Sequence, residues 1–255
     1  MFNFIPLYYT FQSRIITKSE RVSWVLIFPL FLLLISLSFN LNVYIFILSF
    51  LCVMSIYEVG YLYNDIITVK KEIAPTIRIK NEMDGFKKSF YLHIIFRVII
   101  SVSISIWIFY LTNSGYLFYA ILCVSLFYIV HNTIRSRINI ISYFCLVSAR
   151  YIFPVFLIVD SSLLIFLLLI FPICRTIEHA CKKKYNLNFL MQLVSNIDRF
   201  RVKYYFFLLI IYMSLFLAFD IKLAYVLFAL YFLIIRLLSS KLRNVVKTNV
   251  HKSYW

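Results

Sequence analysis

The chain has 255 residues, of which 63% are hydrophobic and 20% aromatic, with a mean hydropathy of +0.91. Only 14% of residues are charged, and the 3 Gly and 5 Pro are few, so a soluble globular domain, a disordered tail and a fibrous protein are all excluded. The 26 Lys plus Arg outnumber 10 Asp plus Glu, for a net charge of +16, but the basic residues fall between apolar runs, where they act as topology signals rather than as a nucleic-acid surface.

In chain order, the apolar runs predict transmembrane helices at about 23–39, 41–60, 89–111, 115–131, 138–159, 161–177, 202–219 and 221–238. A span needs about 20 apolar residues, so eight take up roughly 160 positions and leave loops only. The expected fold is an all-α polytopic membrane protein, a bundle of eight to nine helices forming one domain over 1–255. The connections alternate in charge. The N-terminal tail, the 61–88 loop, the 132–137 turn, the 175–203 region and the C-terminal end hold 23 of the 26 basic residues, whereas the other turns carry only Asp160, Asp220 and Lys222. The positive-inside rule then places both termini and both long loops in the cytoplasm. The expected location is the bacterial inner (cytoplasmic) membrane.

Cys52, Cys123, Cys145, Cys174 and Cys181 form no CxxC pair and read as small core residues. The first 20 residues lack the basic start and apolar run of a cleavable signal, and no internal repeat is expected.

Two stretches carry candidate chemistry. The first, Tyr57 to Glu72, continues the second apolar run and predicts one helix through it. Glu58, Tyr61, Asp65, Thr68 and Glu72 then fall near one face. Oxygen ligands one or two turns apart suit Mg²⁺; the competing reading is a solvated helix end with capping charges. Glu58 falls within the apolar run, where an acid is costly without a role. The second stretch, Phe171 to Tyr185, extends the sixth run and puts Arg175, Glu178 and Lys182 on one face. A local ion pair with a lipid-facing Lys182–Lys184 cluster explains it equally well. His179 belongs to no HExxH pattern and is discounted as a zinc ligand. Arg97 lies near a span end and is expected to snorkel; Arg150 lies midway, and is expected either to serve the site or to pair with Glu58.

The residues Asn64-Asp-Ile-Ile-Thr-Val-Lys-Lys-Glu72 resemble the NDxxDxxxD motif of the UbiA superfamily of intramembrane prenyltransferases, at the end of the second helix where that family has it. Asn64 and Asp65 match, Thr68 replaces the middle Asp, and Glu72 replaces the last one. Arg78 stands where the family's motif Lys falls. After the sixth helix there is no DxxxD; Arg175-x-x-Glu178 is more similar to the polyprenyl-phosphate phosphoribosyltransferase branch. The polar turn Asn132 to Arg137 and the inward Arg150 are similar to further family positions.

The resemblance implies a UbiA-like bundle in which Asn64, Asp65, Glu72 and Glu178 are catalytic and hold Mg²⁺ against a diphosphate. Lys71, Arg78, Arg137, Arg150, Arg175 and Lys182 are the implied phosphate contacts. It further implies an isoprenoid lipid substrate and a diphosphate donor, either a prenyl diphosphate or phosphoribosyl diphosphate. Metal and cations would stabilise charge on the departing diphosphate. Tyr57, Tyr61 and Tyr63 could shield an allylic cation. The alternative is a non-catalytic relative that acts as scaffold or transport component for lipid-linked intermediates, a reading motivated by Thr68 and the missing DxxxD.

Overall fold

The computed structural model describes residues 4–71, 84–134 and 136–245, apart from the side chains at 71, 84 and 242–245. All regular structure among the described residues is helical. Eight helices are long and apolar enough to cross a membrane: Lys18–Ser38, Val43–Lys70, Phe90–Thr112, Tyr116–Thr133, Ile138–Ile158, Ser161–Ala180, Ile197–Phe219 and Leu223–Lys241, here spans 1 to 8. The protein is a multi-pass integral membrane protein. Its outer faces keep large apolar side chains such as Leu122, Ile211 and Leu217 exposed, as a surface solvated by lipid tails allows.

Each predicted apolar run lies within or against one span, and the differences are at the ends. Span 1 starts at Lys18 because Thr17 and Glu20 form a capping box, with the Glu20 N–H donating to Thr17 Oγ1 at 3.2 Å and the Thr17 N–H to Glu20 at 2.9 Å. Span 7 reaches back to Ile197 because Asn196 accepts the Arg199 N–H at 2.9 Å. Hydropathy does not register such caps. With glycine so scarce, four of the five left-handed positions among the described residues fall to Asn40, Asn113, Asn186 and Asp220, at φ between 50° and 60°, residue types that tolerate that region; the fifth is Leu7, at φ 75° just before the Tyr8–Ser13 helix.

The chain divides into two compact units, Met1–Arg135 with Ala149–Val159, and Ser136–Ser148 with Asp160–Trp255. In the first unit, span 2 packs against spans 3 and 4 and the end of span 5. The approach of span 4 depends on Gly60, where a Cβ would lie 2.3 Å from Tyr128 Cγ. In the second unit, spans 7 and 8 pack as an antiparallel pair around the short turn at Asp220, and Phe166 of span 6 meets Tyr212 edge-on.

A short recurrence was not anticipated. Leu-Ile-Phe-Pro occurs at 26–29 and again at 169–172, and each copy sits in a widened helical turn, Leu26–Leu30 and Leu169–Ile173. Proline lacks the N–H that would close an ordinary turn. In each unit a tyrosine hydroxyl donates to the carbonyl of the isoleucine in that turn: Tyr151 to Ile27 at 2.7 Å and Tyr205 to Ile170 at 2.8 Å.

Candidate functional site

The polar centre of the first unit is built on span 2. Its α-helical part ends at Ile66 and a tighter turn follows over Thr68–Lys71, so the single continuous helix expected through residue 72 is not formed. Glu58 and Asp65, seven residues apart, remain on one face, two turns or roughly 10 Å along the axis. Both are buried, which excludes the solvated helix end as their explanation.

What covers them is the N-terminal segment. Residues Tyr8–Ser13 form a short helix rather than a plain basic tail. The backbone N–H and the hydroxyl of Thr10 donate to Glu58 Oε1 at 2.7 and 2.8 Å. Tyr9 Oη donates to Asp65 Oδ2 at 2.9 Å, and Arg14 Nη2 donates to both Asp65 oxygens at 2.9 and 2.8 Å. Asn64 Nδ2 adds a donor to Oδ1 at 3.1 Å. Burial first, and then the Asp65 charge, push the Tyr9 hydroxyl above its ordinary range, so it stays protonated and donating. The Arg14 guanidinium also lies 4.1 Å over the Tyr61 ring.

Two expectations about arginines are corrected here. Arg97 does not snorkel: it is wholly buried, and its Nε donates to Glu58 Oε2 at 3.0 Å. A charge inside a packed helix pair has no route to water, and the nearby acid supplies its counter-ion. Glu58 therefore does not pair with Arg150. The Arg150 guanidinium lies over the rings of Phe28 at 4.7 Å and Tyr57 at 5.5 Å, and reaches Tyr61 Oη at 3.5 Å.

The second unit holds the other candidate cluster. Glu178, at the end of span 6, is bonded by Arg175 one turn earlier and by Arg201 of span 7. Arg201 donates through Nε to Oε1 at 2.6 Å and through Nη2 to Oε2 at 2.8 Å, a bidentate fork. Asp198 Oδ1 lies 3.6 Å from Arg201 Nη1. Arg236 of span 8 is buried beside this group, its guanidinium 5.9 Å from the Tyr205 ring centre.

The remaining expected site residues are divided. Arg137 is held by carbonyls, donating to Tyr185 O at 3.1 Å and Asn186 O at 3.5 Å. Lys182 is half-buried after span 6. Glu72, Arg78 and the Lys71 side chain lie outside the described residues. His179 is built into a buried network: Nε2 meets Tyr185 Oη at 2.7 Å, Tyr185 Oη donates to Asn139 Oδ1 at 2.6 Å, and Tyr143 stacks on the ring at 3.9 Å. Among the described residues no three His, Cys, Asp or Glu side chains converge as a metal site.

The sequence reading missed Tyr9, Thr10, Arg14, Arg201 and Arg236. Arg14, Arg201 and Arg236 read in the sequence as basic residues of the cytoplasmic ends; position was the available signal for two of them, since Arg236 falls within the 221–238 run and Arg201 at the edge of the 202–219 run. Comparison with known proteins brings no match: no family model, no curated protein and no solved structure aligns with the chain.

Proposed function

We propose that the protein is a UbiA-type transferase at the cytoplasmic face of a bacterial inner membrane, which moves a prenyl or phosphoribosyl group between a diphosphate donor and an isoprenoid or isoprenoid-accepting substrate. The observation that carries this reading is a pair of buried carboxylates, Asp65 near the end of span 2 and Glu178 at the end of span 6, each bonded by guanidinium groups. These are the chain positions where the resemblance puts its two motifs. Buried acids and arginines in membrane spans serve function more often than packing.

The resemblance implies that Asn64, Asp65, Glu72 and Glu178 would hold Mg²⁺, which would neutralise charge on the departing diphosphate. Asp65 and Asn64 supply oxygens of the kind Mg²⁺ takes. The Asp65 oxygens now accept from Arg14, Tyr9 and Asn64, so metal binding there requires Arg14 to give way. The resemblance implies Lys71, Arg78, Arg137, Arg150, Arg175 and Lys182 as the phosphate contacts; within the first unit, Arg150 lies against the Tyr57 and Tyr61 side chains.

The saturation of Asp65 favours a second reading, a non-catalytic relative that carries lipid-linked intermediates. One experiment separates them. Vesicles containing the protein are given labelled prenyl diphosphate or phosphoribosyl diphosphate with Mg²⁺, and label entering the lipid fraction is counted. The transferase reading expects transfer that Asp65→Ala abolishes; full activity in Asp65→Ala overturns it, and no transfer with either donor leaves the carrier.

A further inference from the structure

Among the described residues of the second unit, the charge around Glu178 does not balance. Three arginines, Arg175, Arg201 and Arg236, gather where the carboxylates are Glu178 and Asp198. Both Glu178 oxygens are already taken by Arg175 and Arg201. Arg236 is 6% exposed, forms no ion pair among the described residues, and its Nε has no acceptor. Its one close neighbour of note is the Tyr205 ring, whose hydroxyl is committed to Ile170. Glu178 and Arg201 lie within electrostatic range of Arg236, so its charge meets a second cation as well as a shared anion.

Arginine cannot shed its proton to escape this burial. A buried guanidinium nitrogen without an acceptor is costly, and an apolar side chain of similar size would avoid that cost unless an anion arrives from outside. A ring contact at that distance offsets only a small part. The planar fork binds carboxylate and phosphate oxygens alike, and several guanidinium groups around one anion favour the higher charge of a phosphate.

We infer that Arg236, with Arg201 and Arg175, forms an anion site in the second unit that takes a phosphate group, with Arg236 as the cation reserved for it. The shared chemistry is a phosphomonoester or diphosphate, carried by a lipid headgroup or free in solution. This site shares Arg175 with the phosphate contacts of the transferase reading and extends that reading to Arg201 and Arg236, but it needs neither metal nor group transfer, so binding in EDTA tests it separately from turnover.

The test uses the full-length protein in detergent with EDTA at fixed ionic strength. Thermal unfolding is followed against inorganic phosphate, pyrophosphate and farnesyl phosphate, with farnesol as the uncharged control. Ligands that bind the native state raise apparent stability in proportion to occupancy. Wild-type protein should respond to at least one phosphate-bearing ligand and not to farnesol. A response to farnesyl phosphate alone assigns a lipid headgroup; one to phosphate or pyrophosphate as well assigns a free-anion site. Arg236→Met should unfold no earlier than wild type without ligand, because it removes an unpaired buried charge, and should weaken binding about tenfold or more. Arg236→Lys, which keeps charge without the fork, should bind with intermediate strength. No response in wild type, or an unchanged response in Arg236→Met, overturns the inference. Should Arg236→Met fail to fold, an Arg236→Lys protein that binds as tightly as wild type does the same.

Discussion

The Glu58–Arg97 pair offers the sharpest test of how the first unit is held together. Both side chains are completely buried, and the carboxylate accepts from Arg97 Nε, Thr10 N and Thr10 Oγ1. Glu58→Met leaves the Arg97 cation without its counter-ion and Thr10 without its acceptor; Arg97→Met leaves the carboxylate uncompensated. Breaking a buried pair from one side costs about 3–5 kcal/mol. The double variant Glu58→Met/Arg97→Met removes both charges, so its penalty comes mainly from the unsatisfied Thr10 N–H and hydroxyl, about 1–3 kcal/mol for a buried polar group. The double should therefore be more stable than either single, with a coupling energy of several kcal/mol. Denaturant titration of the detergent-solubilised protein, followed by tryptophan fluorescence, gives all four stabilities. Single variants within about 1 kcal/mol of wild type, or a double whose cost equals the sum of the singles, would refute the reasoning.

Gly60→Ala should destabilise by about 1–3 kcal/mol, despite the better helix propensity of alanine, because the new Cβ enters the Tyr128 ring; the same titration measures it. Arg14→Gln should loosen the Tyr8–Ser13 helix from span 2 and speed hydrogen exchange at the Thr10 amide, while exchange in spans 7 and 8 stays unchanged. Asp160 caps span 6, and the Leu163 N–H and Ser162 hydroxyl hold its carboxyl below the ordinary range. A depressed carboxyl stabilises the fold above its unfolded-state value and loses that contribution as pH falls through its folded value. Asp160→Ala should thus cost about 0.5–2 kcal/mol at pH 7, and its gap to wild type should close below about pH 4.

The membrane class and the eight helices were legible because a 20-residue apolar run has few other uses, and each run maps onto one span. Span ends were less legible: Thr17, Asn42, Asp160 and Asn196 cap helices through side-chain hydrogen bonds that leave no trace in hydropathy. Glu58, Asp65 and Glu178 stood out as acids at or within apolar runs, and all three are bonded by arginines. Which arginine serves which acid was not readable. Arg14, Arg97 and Arg201 are respectively 51, 39 and 23 residues from their partners, a separation that helical periodicity cannot bridge. The N-terminal helix escaped notice for the same reason, since six residues carry too little pattern to announce a helix that is stabilised by what it docks on.

The most direct test of the transferase account follows the thermal stability of the purified protein with geranylgeranyl diphosphate and, separately, phosphoribosyl diphosphate, each in Mg²⁺ and in EDTA. The account predicts that one donor raises the unfolding temperature more in Mg²⁺ than in EDTA, which also identifies the group transferred. A rise of equal size in both buffers, or none with either donor, would contradict it.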